Sequence, residues 1–482
     1  MSFIPSWLFF FVIIQFFYCV YDSVQRRNDL FICYNLLCVL QANKYLNISN
    51  IKLKFDKKKC TSFLHAIRTM GHFISKSKSQ KMTTTYVTLS EAKKNAKIDP
   101  NFDLILDDDL AQNKWPKQLD EHKTKEKQSL MAQTVDQKLF NKLKQLKTEK
   151  AGWTIARAIN TGVCYPTSFM GCHAGDLESY SVYKELFHPV IEKYHKGYKL
   201  DGSMKHVTDM DVSKITIDLS ESAKAKIIST RIRCARNIAA FPLNPGASKE
   251  NRIAIADLME KVFHDISSSD DPNLQDLGGT FYRHTTMTPE ETQQLVDDHF
   301  LFRGKDKMQA ASGYHQYWPE GRGIFCSKDK TFLLWINEGD HLRIISMEKG
   351  GDVKRVFERL ARGAKAIEEG LKKITQKEDV FMSDPMLGMV TCCPTNLGTG
   401  MRGSVHILVP KLIKSMGFEK IDELARTMNC QARGSTGEHS EVIDRIDVSN
   451  WRRLGFPEYV LVQDMITFAN KLAEMEDSCA NN

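Results

Sequence analysis

The 482-residue chain has no internal repeat, and its twelve cysteines show neither the paired spacing of a zinc site nor the density of a disulfide scaffold. A solenoid, a zinc module and a small cross-linked secreted fold are all disfavoured, and the body of the chain reads as reduced and intracellular. No charge of one sign dominates. Lys and Arg total 67 against 59 Asp and Glu, a formal +8 that is modest for this length. It suits an anionic ligand, but a solvated surface explains it equally well, and nothing in it points to nucleic acid. Hydrophobic residues at 42% and charged residues at 26% are ordinary for a globular protein with a large core. The length fits two domains plus an extension.

One long apolar run, residues 3–20, stands apart from the rest. It is long enough for a membrane span or a secretory signal core. No Lys or Arg precedes it, which weakens the signal reading, and Arg26-Arg27 just after it favour a cytosolic C-terminal side. Residues 28–117 mix a short apolar run at 30–40 with basic clusters at 57–59 and 76–81 and a Thr-rich patch after Met82. We read 1–117 as a poorly ordered extension with a possible anchor at 3–20, or as an over-long start with initiation at Met82 or Met131.

Residues 117–150 are dense in Lys, Glu and Gln with leucines at helical spacing, which predicts short amphipathic helices. Residues 176–194 carry Tyr180, Tyr183, Phe187, Val190, Ile191 and Tyr194 at helical intervals, a helix interrupted or restarted at Pro189. The polar stretch 201–214 reads as a linker. Beyond Lys224, strands are expected at 227–233, 331–336, 342–347, 389–393 and 404–409. Asn337-Glu-Gly-Asp-His341 would close a hairpin between the second and third. Residues 352–372 form a clean amphipathic helix, apolar at Val353, Val356, Phe357, Leu360, Ala364, Ile367 and Leu371.

The most informative string is Cys393-Pro-Thr-Asn-Leu-Gly-Thr399, a cysteine at a strand mouth followed by proline and a glycine-bearing turn. Alone, Cys393 would more often be a buried free thiol. The string resembles the active-site signature of the phosphagen kinases, the ATP:guanidino phosphotransferases, and with threonine after proline it is most similar to their arginine-accepting form. The resemblance covers roughly residues 118–477. It implies an α+β fold: a small all-helical N-terminal domain with linker, 118–214, and a larger catalytic domain, 224–477, with an antiparallel sheet flanked by helices.

Phosphoryl transfer to a guanidinium demands positioning and stabilisation of concentrated negative charge. Arginine suits this because its fork stays charged and binds phosphate oxygens bidentately. Arg231 and Arg233 lie two apart in Ser229-Thr-Arg-Ile-Arg233, so a strand points both to one face. By resemblance the ATP-binding residues are Ser229, Thr230, Arg231, Ile232 and Arg233, with His299 beside the adenine and Arg343. The same match adds Arg402, Gly403, Ser404, Val405 and His406, and then Arg433, Gly434, Ser435, Thr436, Gly437 and Glu438. Mg²⁺ would be held by the nucleotide's phosphates and water, with no protein ligand.

The acceptor needs a carboxylate to hold it and take its proton, since a guanidinium with a pKa above ~12 is a poor nucleophile. The resemblance gives that role to Glu438 and to the second acid of an Asn-Glu-Glu-Asp loop. Here the loop is Asn337-Glu338-Gly339-Asp340, so one carboxylate is missing. Either Glu338 serves, or Glu438 acts alone, or activity falls; we favour Glu338. Cys393 would orient the acceptor as a thiolate of lowered pKa. Cys392 would pack in the core, and Asp340 and His341 would be structural. Acceptor choice is expected from the loop 161–175, with Thr161, Gly162, Val163 and Tyr165 as substrate-binding residues. By the same resemblance this loop reads as longer than the usual arginine form and shorter than the creatine form.

The implied activity is reversible, Mg-dependent transfer from ATP to L-arginine in the cytoplasm. Rival readings are another guanidino acceptor, a protein-arginine kinase, a non-catalytic nucleotide-binding protein and a membrane-tethered scaffold. The helical 176–194 segment argues against the protein-arginine kinase, which lacks the small domain.

Overall fold

A computed structural model of the protein describes residues 87–94, 105–302, 304, 307–434 and 444–479. The apolar run at 3–20 lies outside them. Among the described residues, no helix is long and apolar enough to cross a membrane.

The larger part is built on one eight-stranded sheet. Its strands are β1 (Ile227–Arg236), β2 (Gly279–Arg283), β3 (Gly323–Ser327), β4 (Phe332–Ile336), β5 (Leu342–Lys349), β6 (Met401–Leu408), β7 (Cys430–Gly434) and β8 (Arg445–Asn450). They lie in the order β7-β8-β6-β1-β5-β4-β3-β2, every neighbouring pair antiparallel. The expected hairpin is present, with Ile336 opposite Leu342 and the Asn337 amide donating to the His341 carbonyl at 2.9 Å.

Helix Val353–Thr375 covers one face of this sheet. The Asp352 side chain caps its first turn by accepting from the Arg355 amide, and Gln376 ends it in the left-handed region at φ 56°. The apolar residues named from the sequence all face the core with Ile232, Ile344, Val405 and Phe332. Helix Glu458–Ser478 contributes Leu461, Val462, Met465 and Phe468 to the same core.

The smaller part is helical, with its own core around Trp153, Phe140, Tyr183 and Phe187. Its 176–194 segment breaks at Tyr183, between helices Ser179–Val182 and Lys184–Tyr194, and Pro189 lies inside the second. The break is fixed by the Tyr183 hydroxyl, which donates to the Leu146 and Trp153 carbonyls at 2.8 Å each.

Two expectations fail here. Residues before 118 are not wholly a loose extension: Val87–Thr88 pairs with Ile105–Leu106, and Leu89, Ile105, Leu106 and Leu110 are buried. The Asn160 side chain ties this segment down. Its Oδ1 accepts from the Asp107 amide at 2.9 Å, while its Nδ2 donates to Ile105 O at 2.6 Å and Ala311 O at 2.8 Å. Nor is 389–393 a strand; only Gly388–Met389 is extended in a ladder, with Ser383–Asp384. Past it, each backbone group finds a different partner. The Val390 amide donates to Met382 O, the Cys392 amide to Asp340 Oδ1, and Cys392 O accepts from the Ala174 amide.

Candidate active site

Strand alternation builds the site. Along β6 burial alternates residue by residue, so Met401, Val405 and Ile407 enter the core while Arg402, Ser404 and His406 face the other way. On the adjacent β1, Arg233 stands directly opposite Arg402, and Arg231 opposite Ser404. These side chains line a cavity of about 400 Å³ with Ser229, Thr230, His299, Arg433 and Gly434. Trp335 and Phe300 supply an apolar wall. Trp335 also lies under the Arg231 and Arg343 guanidiniums, 5.7 and 5.8 Å from its ring centre.

The cations crowd one another. Burial, with Arg343 and Arg402 nearby, pulls Arg231 down to about 10, and burial beside the same cations lowers Arg233 further. The Arg231 Nε is buried with no hydrogen-bond partner. Arg402 is held by the Asp447 carboxylate at 2.5 Å and the Ser449 hydroxyl at 3.2 Å. A cluster of this kind fits a polyanion such as a nucleotide's phosphates. Among the described residues, no group of His, Cys, Asp and Glu is arranged to hold a metal ion.

The Cys393 turn lies at the seam between the helical part and the sheet. The Tyr180 hydroxyl donates to Thr391 O at 2.6 Å, and the neutral His195 ring, its pKa pulled to about 3 by burial, donates to Pro394 O at 2.9 Å. Cys393 Sγ is 3.2 Å from Thr395 Oγ1. Burial pushes its thiol up from the ordinary value, and the Thr395 contacts and Arg453 only partly offset this; the thiolate expectation counts on a cationic acceptor beside it. Cys392 packs inward as expected, fully buried, with Sγ 2.9 Å from the Tyr314 hydroxyl and 3.3 Å from Gly339 O.

Glu338 Oε2 accepts from Arg343 at 2.8 Å and from the Gly339 amide at 2.7 Å. Its Oε1 has a longer contact, 3.5 Å, from Gln309 Nε2. Asp340 and His341 are structural. Asp340 Oδ1 accepts from Asn237 and from the Cys392 amide, and the His341 ring bridges the Ile238 amide and Pro242 O.

A second opening of about 800 Å³ runs between the helical part and the sheet. Arg233, Arg402 and Arg433 line it too, so they form a wall common to both spaces. Thr395, Phe169, Met170 and Trp451 line it as well.

The profile of the ATP:guanido phosphotransferase C-terminal catalytic domain matches residues 257–479, and that of the N-terminal domain matches 125–192. The arginine kinase of Stichopus japonicus is 40% identical over 369 residues, covering 76% of this chain and 95% of the relative. The chain belongs to the phosphagen kinase family. An arginine kinase of Anthopleura japonica is 43% identical over 361 residues, 74% of this chain, but this chain spans only about half, 47%, of that relative's length. A solved lombricine kinase superposes with a TM-score of 0.68 at 34% identity, covering 78% of this chain and 97% of that one.

Phosphagen kinases are phosphotransferases with a nitrogenous acceptor, so the chain is an enzyme of that class. Within this phosphagen kinase several sequence expectations need correction. The Ile232 and Val405 side chains face the core, because alternation sends every second residue away from the cavity, and Gly403 is buried with its amide on Asn450 Oδ1 at 2.8 Å. Arg343 stands beside the cavity, paired to Glu338. Ser435, Thr436, Gly437 and Glu438 lie outside the described residues.

The 161–175 loop begins later than expected. Thr161, Gly162 and Val163 form the last turn of helix Ile155–Cys164 and are buried, and Tyr165 caps it. The apolar period simply runs on, and Gly162 abuts Gly171: a Cβ there would meet Gly171 Cα at 2.8 Å. Phe169 and Met170 reach the second opening instead. Asp447, Ser449 and Trp451 went unforeseen as well. Alternation of Ile446 and Val448 with Asp447 and Ser449 was the available signal.

Proposed function

We propose that this phosphagen kinase carries the γ-phosphoryl group of MgATP reversibly to L-arginine. The observation that carries this is the shared wall of Arg233, Arg402 and Arg433, with space on both sides. Donor phosphates held in the first cavity and an acceptor entering from the second opening would meet across it, as in-line displacement requires. Bound Mg²⁺ would add charge neutralisation at the donor's phosphates. Arg231, Arg233, Arg402 and Arg433 would grip the phosphates, and His299 with Phe300 and Trp335 would flank the base.

On the acceptor side, Glu338 would present its less engaged Oε1 to the guanidinium, with Glu438 as its partner. Cys393 would orient the acceptor without forming a covalent bond. Two likenesses support arginine: the Cys393-Pro-Thr395 string and relatives of about 40% identity named arginine kinase. A second reading, another guanidino acceptor, is favoured by Gly339 and by the similarity to lombricine kinase.

The test is a coupled assay of purified protein with MgATP and, in turn, arginine, creatine, taurocyamine and glycocyamine. Arginine should give the highest kcat/KM. A higher value with another acceptor would reassign the substrate; ATP binding without transfer to any of them would refute catalysis.

A further inference from the structure

Among the described residues, the lining of the second opening carries no Asp or Glu, and basic side chains continue well beyond the shared arginine wall. Lys193 and Lys196 come from the end of the helical part, Arg426 and Arg452 from the sheet part. Among the described residues, Lys193, Lys196 and Arg452 make no ion pair, although Arg452 acts on the nearby Asp464 carboxyl, and Arg426 pairs with Asp422 at 3.4 Å. Arg426 and Arg452 instead flank Trp451, at 5.8 and 5.1 Å from its ring centre. The Arg452 Nε and Trp451 Nε1 donors are buried without hydrogen-bond partners. Buried donors are normally satisfied, so unpaired donors beside unpaired cations mark a place where an acceptor group is missing.

We propose that this groove binds a second tetrahedral oxyanion, distinct from the donor's phosphates, on Lys193, Lys196, Arg426 and Arg452. The ligand class is a phosphate or sulfonate, arriving either as free inorganic phosphate or as the far end of a guanidino acceptor. The second source rests on the second reading given above, a guanidino acceptor other than arginine. Thr395, 3.2 Å from Cys393, connects the groove with the turn that would orient the guanidino end. The Trp451 ring and the apolar Phe169 and Tyr194 rings beside it would exclude water from the spacer.

Trp451 supplies a readout independent of turnover. With MgADP saturating the first cavity, titration of inorganic phosphate should change its fluorescence saturably, and Trp451→Phe should abolish the signal. Lys193→Glu/Lys196→Glu should weaken phosphate binding on the order of tenfold or more, from up to about fivefold per exposed pair, while MgADP affinity stays unchanged. Should that variant misfold, Lys193→Gln/Lys196→Gln at these surface positions serves instead. A phosphate signal that survives the double substitution lies at the arginine wall and overturns the proposal, as does the absence of any signal.

The sources separate in acceptor kinetics. If the double variant raises KM for guanidinoethanesulfonate but not for agmatine, which has no anionic end, the acceptor supplies the oxyanion. If phosphate binding weakens and neither KM moves, free phosphate is the ligand. Should no guanidino compound be phosphorylated, the proposed function fails, yet the phosphate titration still decides the groove.

Discussion

Gly339→Glu would restore the carboxylate that the hairpin loop lacks, and the structure says it will not do so alone. A Cβ at position 339 would lie 3.0 Å from Tyr314 Cε2 and 3.5 Å from two further ring atoms. That ring has little freedom. It stands edge-on to His173 with centroids 5.4 Å apart, and its hydroxyl lies 2.9 Å from Cys392 Sγ. Over-packing a filled site costs about 1–3 kcal/mol. The substitution should therefore destabilise the protein by roughly that amount in urea titration and leave kcat no higher than wild type. Tyr314→Ser should lose its packing on its own but make room, so Gly339→Glu/Tyr314→Ser should be more stable than the sum of the two single effects by about 1 kcal/mol or more. Its kcat should exceed that of Tyr314→Ser if a second carboxylate helps the acceptor. A Gly339→Glu protein as stable as wild type and faster would refute the obstruction.

Other expectations follow from single contacts. Arg402→Lys keeps a charge but loses the fork that now joins Asp447 and Ser449; kcat should fall about 10²–10³-fold with the fold intact, and wild-type kcat and KM for ATP would remove Arg402 from the site. A chain starting at Thr84 should fold and turn over. One starting at residue 118 loses Leu89, Ile105, Leu106 and Leu110 and strands Asn160, so at about 1.5–3 kcal/mol per buried side chain its melting and activity should both collapse. Burial pulls the His341 pKa to about 3, in keeping with Nδ1 accepting from the Ile238 amide, which only the neutral ring can do. The unfolded chain then binds more protons below about 6.5, so stability should be fully present above that pH and fall toward 3 at up to about 1.4 kcal/mol per unit. His341→Gln should flatten that slope in urea titrations between pH 4 and 7; an unchanged slope would exclude His341 as its source.

Legibility followed the range of the forces. Elements fixed by near neighbours were plain: the heptad-like face of helix Val353–Thr375, the β4–β5 hairpin, and the alternation that puts Arg231 and Arg233 side by side. The Cys393 turn was visible as a string, but its placement depends on Ala174, Tyr180 and His195, some two hundred residues away in sequence. Residues 389–393 look like a strand because they are apolar, yet their backbone groups answer to several distant partners rather than one ladder. The segment before 118 hid its few leucines in polar sequence, and nothing local announced that Asn160 would hold it. Carrying a motif across residue by residue overcounted the cavity at Ile232 and Val405, whose strands turn them inward.

Arg233 facing Arg402 across two central strands has a consequence for the apo fold itself. Like charges directly opposite in a ladder repel, and neighbouring strands β1 and β6 lie at the middle of the sheet rather than at a forgiving edge. The Asp447 carboxylate paired with Arg402 offsets part of that repulsion, and among the described residues Arg233 has no such ion-pair partner. An anion settling between those strands does more than occupy a site: it becomes part of the cohesion of the sheet. Anion occupancy and conformational stability are then coupled, each raising the other.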